Sequence, residues 1–311
     1  MKAFVTGGAG FIGSNLVDAL LADNHQVTVY DNLSLGTEDR IKHNFSNKDF
    51  TFVKADLLEF SKLAGAMKGH DVVFHLAANS DISNNQVTDT DLKNGTLATY
   101  NVLEAMRLNN IKKVVYSSTS AIYGETKIMP TPEDYAPLQP ISLYGASKLA
   151  GEALMTAFSH NFNNQVWIFR FANIVGKRGT HGVLIDFIRK LRNNQKELEI
   201  LGDGRQKKSY LEVQECVQGI LFGFEHATEQ VNVFNLGCTT STQVDIIARI
   251  VVEEMKLENV SFKHTGGSRG WSGDVPVMSL DVKRINTLGW KALLTSDEAV
   301  RKAVKDLLAG Y

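Results

Sequence analysis

The sequence predicts an α/β protein built on a doubly wound parallel sheet, with a smaller α/β domain in its C-terminal part. Two observations carry that expectation. Short apolar runs alternate with helix-period segments through the first half, the pattern of βαβ units with right-handed crossovers. The first of these units contains a glycine-rich turn, Gly7-Gly8-Ala9-Gly10-Phe11-Ile12-Gly13, directly between a strand and a helix.

Lys2–Thr6 reads as the first strand, apolar and without a breaker, and Ile12, Leu16, Val17, Leu20 and Leu21 mark one face of the helix after it. Gln26–Asp31 is the second strand, Thr51–Ala55 the third, Asp71–Ala78 the fourth and Lys113–Ser117 the fifth. Asp91–Arg107 is expected as one long helix with Leu92, Thr96, Tyr100, Leu103 and Met106 on one side, and Ser142–Phe162 as another. Gln165–Phe169 and Val233–Leu236 supply the sixth and seventh strands. A helix over His181–Asn194 and a strand and turn over Leu198–Gly204 lie between them. A strand at Val260–Lys263 and a helix at Ser296–Leu308 close the chain. The implied domains are residues 1–170, which also receive the strand near 231–237, and an interleaved region, 171–311.

A chain of 311 residues with 43% hydrophobic and 22% charged residues is ordinary for a globular protein. A net charge of −1 offers no electrostatic footprint for nucleic acid or an acidic membrane. No apolar run approaches the roughly twenty residues of a membrane span, and no leader-like segment is legible before the first strand. Cys216 and Cys238 form neither a disulfide framework nor a zinc spacing, and read as thiols of a reducing cytoplasm. His75 has no metal-spaced partner and reads as a strand residue, so no metal is expected.

The glycine turn carries chemistry because backbone without side chains can approach a pyrophosphate, and a helix N-terminus offers free N–H groups and positive dipole. Its spacing fits G-x-G-x-x-G through Gly8, Gly10 and Gly13, and equally G-x-x-G-x-x-G through Gly7, Gly10 and Gly13. Asp31 ends the second strand, where an acid would bond the adenosine ribose and repel a 2′-phosphate, which favours NAD over NADP. Ala77 and Ala78 put small side chains at a strand end, where ligands lie in open parallel sheets.

Tyr144 and Lys148 stand one helical turn apart, downstream of the hydroxyl cluster Ser117-Ser118-Thr119-Ser120. An ammonium near a phenol favours the phenolate, so Tyr144 is expected to have a lowered pKa and to take a proton from an alcohol while a nearby acceptor takes hydride. The spacing also fits a surface tyrosine and lysine on an amphipathic helix; the nucleotide cradle upstream turns the reading toward catalysis.

Together these residues resemble the extended short-chain dehydrogenase/reductase family, most closely its UDP-glucose (UDP-galactose) 4-epimerase group, over nearly the whole chain. Thr6–Ser14 is similar to that family's cofactor loop in the G-x-x-G-x-x-G register, Asp31–Ser34 to its adenosine-side segment, His75–Ala78 to its fourth strand end, and Tyr144-x-x-x-Lys148 to its catalytic pair. The resemblance implies a Rossmann domain holding NAD tightly through Gly7, Gly10, Phe11, Ile12, Gly13, Asp31, Asn32, Leu33, Ser34, Gly36, Asp56, Leu57, Leu76, Ala77, Ala78, Asn94, Ser117, Tyr144 and Lys148. It implies catalysis by Thr119, Tyr144 and Lys148: Thr119 bonds the substrate alcohol, Tyr144 takes the proton, and Lys148 holds the nicotinamide ribose. Hydride would leave carbon 4 of a UDP-hexose to give a keto sugar, and return to the opposite face.

Dehydratases of this family carry Asp-Glu directly after the threonine, and decarboxylases usually a glutamate; here Ser120 and Ala121 stand in those places and cannot act as acid and base. That favours epimerisation over dehydration or net dehydrogenation. A non-catalytic nucleotide-binding protein is the reading from another class, and the intact Thr119, Tyr144 and Lys148 argue against it. On the substrate side the resemblance implies Asn173, His181, Val183, Lys208, Arg269 and Asp274, with Thr119 and Tyr144. Lys208 replaces the usual arginine and Ser209 the usual aspartate, so Lys208 reads either as a phosphate ligand or as a solvated charge. Arg269 lies two residues earlier than usual, and Trp271 reads as a pocket wall or a core aromatic. Met278, where the family gates 2-acetamido sugars, leaves UDP-N-acetylhexosamines and UDP-uronic acids open as alternatives. The resemblance also implies a homodimer through the 91–107 and 142–162 helices.

Overall fold

A computed structural model describes residues 1–79, 87–271 and 273–310. The first half runs β1 (Lys2–Thr6), α1 (Phe11–Ala22), β2 (Gln26–Asp31), β3 (Phe50–Lys54), α2 (Phe60–Met67), β4 (Val72–His75), α3 (Ala98–Leu108), β5 (Lys113–Thr119) and α4 (Leu143–Phe162). Next come β6 (Gln165–Phe171), β7 (Asn173–Val175), α5 (Val183–Asn193), β8 (Glu197–Ile200), β9 (Lys207–Lys208), β10 (Tyr210–Glu212), α6 (Val213–His226) and β11 (Val231–Leu236). The remainder is β12 (Thr242–Gln243), α7 (Val244–Glu254), β13 (Ser261–His264), β14 (Val277–Met278), α8 (Lys283–Leu288) and α9 (Ser296–Ala309). The chain forms two compact units, one of Met1–Ile122, Gln139–Arg170 and Ile220–Phe234, the other of Tyr123–Leu138, Phe171–Gly219 and Asn235–Tyr311.

The first unit is organised by a seven-stranded parallel sheet in the order β11-β6-β5-β4-β1-β2-β3. β1 pairs in parallel with β2 on one side and β4 on the other, so sheet growth reverses between β1 and β4. That reversal is the switch point at which doubly wound folds open a crevice beyond the strand C-termini. Ala3–Val5 and the whole of β4 are buried, as strands covered on both faces require. Leu63 and Met67 of α2, Val102, Leu103 and Met106 of α3, and Met155 of α4 pack with Phe4, Val73, Val114 and Ile168 of the sheet into one core. The second unit has its own core, in which Phe187 and Leu191 (α5), Ile247 and Val251 (α7) and Val300 and Val304 (α9) meet Leu198, Ile200 and Tyr210.

Helix α4 has clear start and stop signals. The Ser142 hydroxyl accepts from the Gly145 N–H at 3.0 Å, and Asn163 ends the helix in the left-handed region, φ 54°.

The 91–107 segment is helical as expected but departs in its register. It is π-helical over Leu92–Leu97 before α3 begins. The wider turn shifts the helical register, so Leu92 (60% exposed) and Tyr100 (44%) face outward while Thr99, Val102, Leu103 and Met106 bury. The expected single apolar face over Leu92, Thr96, Tyr100, Leu103 and Met106 is thus split. β4 stops at His75, leaving Leu76–Ala78 beyond the strand, whereas β5 continues to Thr119 and β6 to Phe171. Among the described residues no helix is long and apolar enough to cross a membrane, and no group of three His, Cys, Asp or Glu could hold a metal ion.

Candidate active site

The glycine turn lies at the switch point. Gly7 follows β1 with φ +70°, and a Cβ there would come within 2.7 Å of the Ala77 nitrogen beyond β4. A Cβ on Gly13 would meet the Gly7 carbonyl oxygen at 2.1 Å. Only glycine fits either place without moving backbone. Helix α1 starts from Gly10 with no side-chain cap and no acid in its first turn, so its N-terminal N–H groups and dipole remain for an anion. The open cradle and the uncapped helix fit the pyrophosphate of a dinucleotide.

Asp31 ends β2 and is buried. Its Oδ2 accepts from Ala9 N–H at 2.9 Å and its Oδ1 from Leu33 N–H at 2.8 Å, tying the glycine turn to the segment after β2. Burial raises its carboxyl pKa, opposed by those two N–H donors. A carboxylate has about four lone-pair sites, which leaves capacity for a ribose. Leu33 is held at φ 63°, an uncommon conformation for a branched side chain. Asn32 accepts from Ser34 N–H at 2.9 Å and donates to Asp56 at 2.8 Å. A Cβ on Gly36 would touch the Ala9 carbonyl oxygen at 2.9 Å, so this stretch lies directly on the glycine turn. Leu57 is buried, with its carbonyl accepting from Asn101 at 3.0 Å, and Leu76, Ala77 and Ala78 are half-buried past β4.

His75 is fully buried between two hydroxyls, Thr6 at 2.7 Å from Nδ1 and Thr99 at 3.0 Å from Nε2. Thr99 spends its proton on the Gly95 carbonyl at 2.6 Å, so Nε2 must donate to it and Nδ1 must accept from Thr6. Burial pushes the imidazole down to about 3, with the Lys148 charge adding to the effect, so the ring is neutral. His75 is a strut linking β1 and β4 to the π-helical turn that carries the half-buried Asn94.

Lys148 meets Ser117 and Tyr144 meets Thr119 at the end of β5. Lys148 is buried, donates from Nζ to the Ser117 carbonyl at 2.6 Å, approaches the Ser117 hydroxyl at 3.4 Å, and lies 4.8 Å from the centroid of the Tyr116 ring. Burial lowers its pKa to about 7, while Glu152 pulls it up. Tyr144, in the first turn of α4, is half-buried. Burial pushes its phenol up to about 12; hydrogen bonding with Thr119 pulls it down and the Asp91 charge pushes it further up. This corrects the expectation that Lys148 lowers the Tyr144 pKa. Desolvation outweighs any help from the ammonium, which is bound to Ser117.

In the second unit Asn173 opens β7 and donates to the Ser209 carbonyl at 3.3 Å. Lys208 pairs with buried Asp274, and Arg269 donates to the Asp274 carbonyl at 2.7 Å and also pairs with Glu125. Lys208, Arg269 and Asp274 thus form one cluster, whose charges balance with Glu125 included. Met278 is buried and pairs in register with Lys208. Trp271 is half-buried. His181 is exposed beside Gly182, which precedes Val183 at the start of α5.

Three residues that bear on Tyr144 or Lys148 left little or no signal in the sequence. Asp91 bears on the phenol, Tyr116 lies under the ammonium, and Glu152 acts on Lys148 from the next helical turn. Only Glu152 had a legible signal, an acid at i+4 from Lys148 on the same face of the helix.

Residues 3–237 match the model of a family described as the NAD dependent epimerase/dehydratase family. The chain belongs to that family. A Methanocaldococcus jannaschii protein provisionally named UDP-glucose 4-epimerase is 33% identical over 318 aligned positions, covering 96% of each chain. A crystal structure of a UDP-galactose 4-epimerase is similar with TM-score 0.89 and 38% identity, over all of this chain and 99% of that one. A Bacillus cereus UDP-glucuronic acid 4-epimerase, solved with UDP-glucuronic acid and NAD, is similar with TM-score 0.91 and 26% identity, over the full length of both chains.

Proposed function

We propose that this protein is a nucleotide-sugar 4-epimerase that interconverts UDP-glucose and UDP-galactose with tightly held NAD. One observation carries the reading: Tyr144 and Lys148 meet Thr119 and Ser117 at the end of β5, and the residues after Thr119 are Ser120 and Ala121. The Ala121 N–H donates to the Thr119 hydroxyl at 3.2 Å, and neither Ser120 nor Ala121 carries a carboxylate for elimination.

The glycine turn, Asp31–Ser34, Gly36, Asp56, Leu57, Leu76–Ala78, Asn94 and Ser117 would hold the dinucleotide. NAD, when bound, supplies a hydride acceptor and donor for carbon 4 and, when oxidised, a positive charge beside the phenol. Thr119 orients the sugar hydroxyl, and Tyr144 accepts its proton and returns it. Lys148, anchored on Ser117, donates to the ribose. Asn173, Lys208, Arg269 and Asp274, with His181 and Val183 at the start of α5, are the proposed contacts for the nucleotide diphosphate and sugar.

The test is incubation with UDP-glucose, UDP-galactose and their N-acetylated and uronic counterparts, without added cofactor, followed by product separation. Epimer formation with no net NADH is expected; a deoxy-keto product or accumulating NADH would refute the reading. Epimerisation of a UDP-uronic acid is the second reading, favoured by the likeness to the UDP-glucuronic acid enzyme. We also propose a homodimer through α3 and α4, on which Tyr100, Leu108 and Phe162 are exposed, with light scattering as its test. The buried thiols of Cys216 and Cys238 suit a reducing cytoplasm.

A further inference from the structure

Glu152 lies one turn after Lys148 and two after Tyr144, so α4 carries phenol, ammonium and carboxylate along one face. Glu152 and its partner Arg170 are each only 6% exposed. Arg170 grips the carboxylate with two nitrogens, Nη2 to Oε2 at 2.7 Å and Nε to Oε1 at 3.0 Å. The Ser118 hydroxyl donates to the same Oε1. Ser118 sits between Ser117, which binds Lys148, and Thr119, which meets Tyr144. One carboxylate therefore fastens α4 to β5 and β6 at the level of the reacting hydroxyls.

Stability is a poor reason for this pair, because a buried ion pair is often no better than apolar residues of the same volume. Geometry is a better one, since a bidentate fork fixes orientation as well as distance. We infer that Glu152 is a positioning residue for the chemistry at Tyr144 and Lys148, clamping α4 to Ser118 and Arg170 and balancing the lysine's charge. The inference rests on the proton-transfer reading of Tyr144 and Lys148. Around Lys148 stand Glu152 and Tyr144 on its own helix, Tyr116 on β5, and His75, neutral, on β4. Glu152 is the acid that favours the ammonium form there.

Glu152→Gln keeps the shape of the side chain and removes its charge. The Lys148 titration, read from its ε-carbon by NMR in cofactor-free protein, is expected to move down by about one pH unit. The alkaline limb of kcat for epimerisation should move with it, giving roughly tenfold slower turnover above that limb and a smaller change in KM. Ser118→Ala, which leaves both charges in place, should lower kcat without moving the limb. If Glu152→Gln does not fold, Glu152→Met with Arg170→Met removes both charges at similar volume and should displace the titration in the same direction by a smaller amount, because the Arg170 cation goes with the carboxylate. A Lys148 titration unmoved in the charge-removing variants, or a uniformly scaled pH profile, would overturn the inference. Wild-type protein that epimerises none of the sugars would instead overturn the proposed function, while the Lys148 titration would still decide the role of Glu152.

Discussion

Lys148 donates from Nζ to the carbonyl oxygen of Ser117 at 2.6 Å, which places an ammonium inside the protein on a strand end. Burial holds its pKa near 7, against about 10.4 for an unfolded chain. Between those values the unfolded chain binds more protons than the folded one, so this group makes stability rise with pH. Below about 7 both states are protonated and the cost of the buried charge is fully present. Lys148→Met in cofactor-free protein should therefore gain most in Tm over wild type near pH 6, and the advantage should shrink toward pH 10. Thermal unfolding across that range checks it; a constant difference would contradict the burial argument.

Tyr144→Phe removes the proposed proton carrier and little else. Epimerisation should fall by about 10²–10⁴-fold, with stability changed by no more than about 1 kcal/mol. Ultraviolet titration of wild type minus variant should show a phenol titrating near 12 without cofactor, and lower once NAD brings its positive charge. A titration indifferent to NAD would remove the electrostatic part of the mechanism.

Gly13→Ala tests the cradle. Its Cβ would lie 2.1 Å from the Gly7 carbonyl oxygen, a clash with backbone that no rotamer relieves. Displacement of the turn should destabilise the protein by about 1–3 kcal/mol and empty it of dinucleotide, measured as NAD released on denaturation. Full NAD content in this variant would show that the turn is not the pyrophosphate site.

The first six sheet strands were legible because apolar runs and helix periods alternate cleanly from Lys2 to Phe169. The π-helical turn at Leu92–Leu97 was not, since an inserted residue leaves composition unchanged and only alters which side chains face inward. Strands such as β9 and β14, two residues each, are too short to leave a period at all. Tyr144 and Lys148 were legible as a pair through their spacing. The direction of the Tyr144 shift was not, because desolvation depends on what surrounds the phenol in space.

Asp31→Asn separates two roles of one carboxylate. Both oxygens accept from backbone N–H groups, of Ala9 and Leu33, and an amide can satisfy only one of them. The loss should cost about 1–3 kcal/mol and loosen NAD binding. Removing the negative charge should also narrow the preference for NAD over NADP, read from the two dissociation constants. An unchanged ratio would confine Asp31 to holding the loop.

Lys208 and Asp274 pose the corresponding question in the second unit. Their side chains are 20% and 5% exposed, so Lys208→Met leaves an almost fully buried carboxylate without its cation. Breaking a buried pair costs about 3–5 kcal/mol, and the partial exposure of Lys208 should bring this to the lower end or below. Adding Asp274→Asn to Lys208→Met should recover most of that loss. KM for the UDP-sugar distinguishes strut from ligand. If Lys208 binds the diphosphate, the double variant regains stability but keeps a raised KM, because no cation has been restored. If Lys208 only braces Asp274, stability and KM recover together, and a diphosphate role for this lysine is excluded.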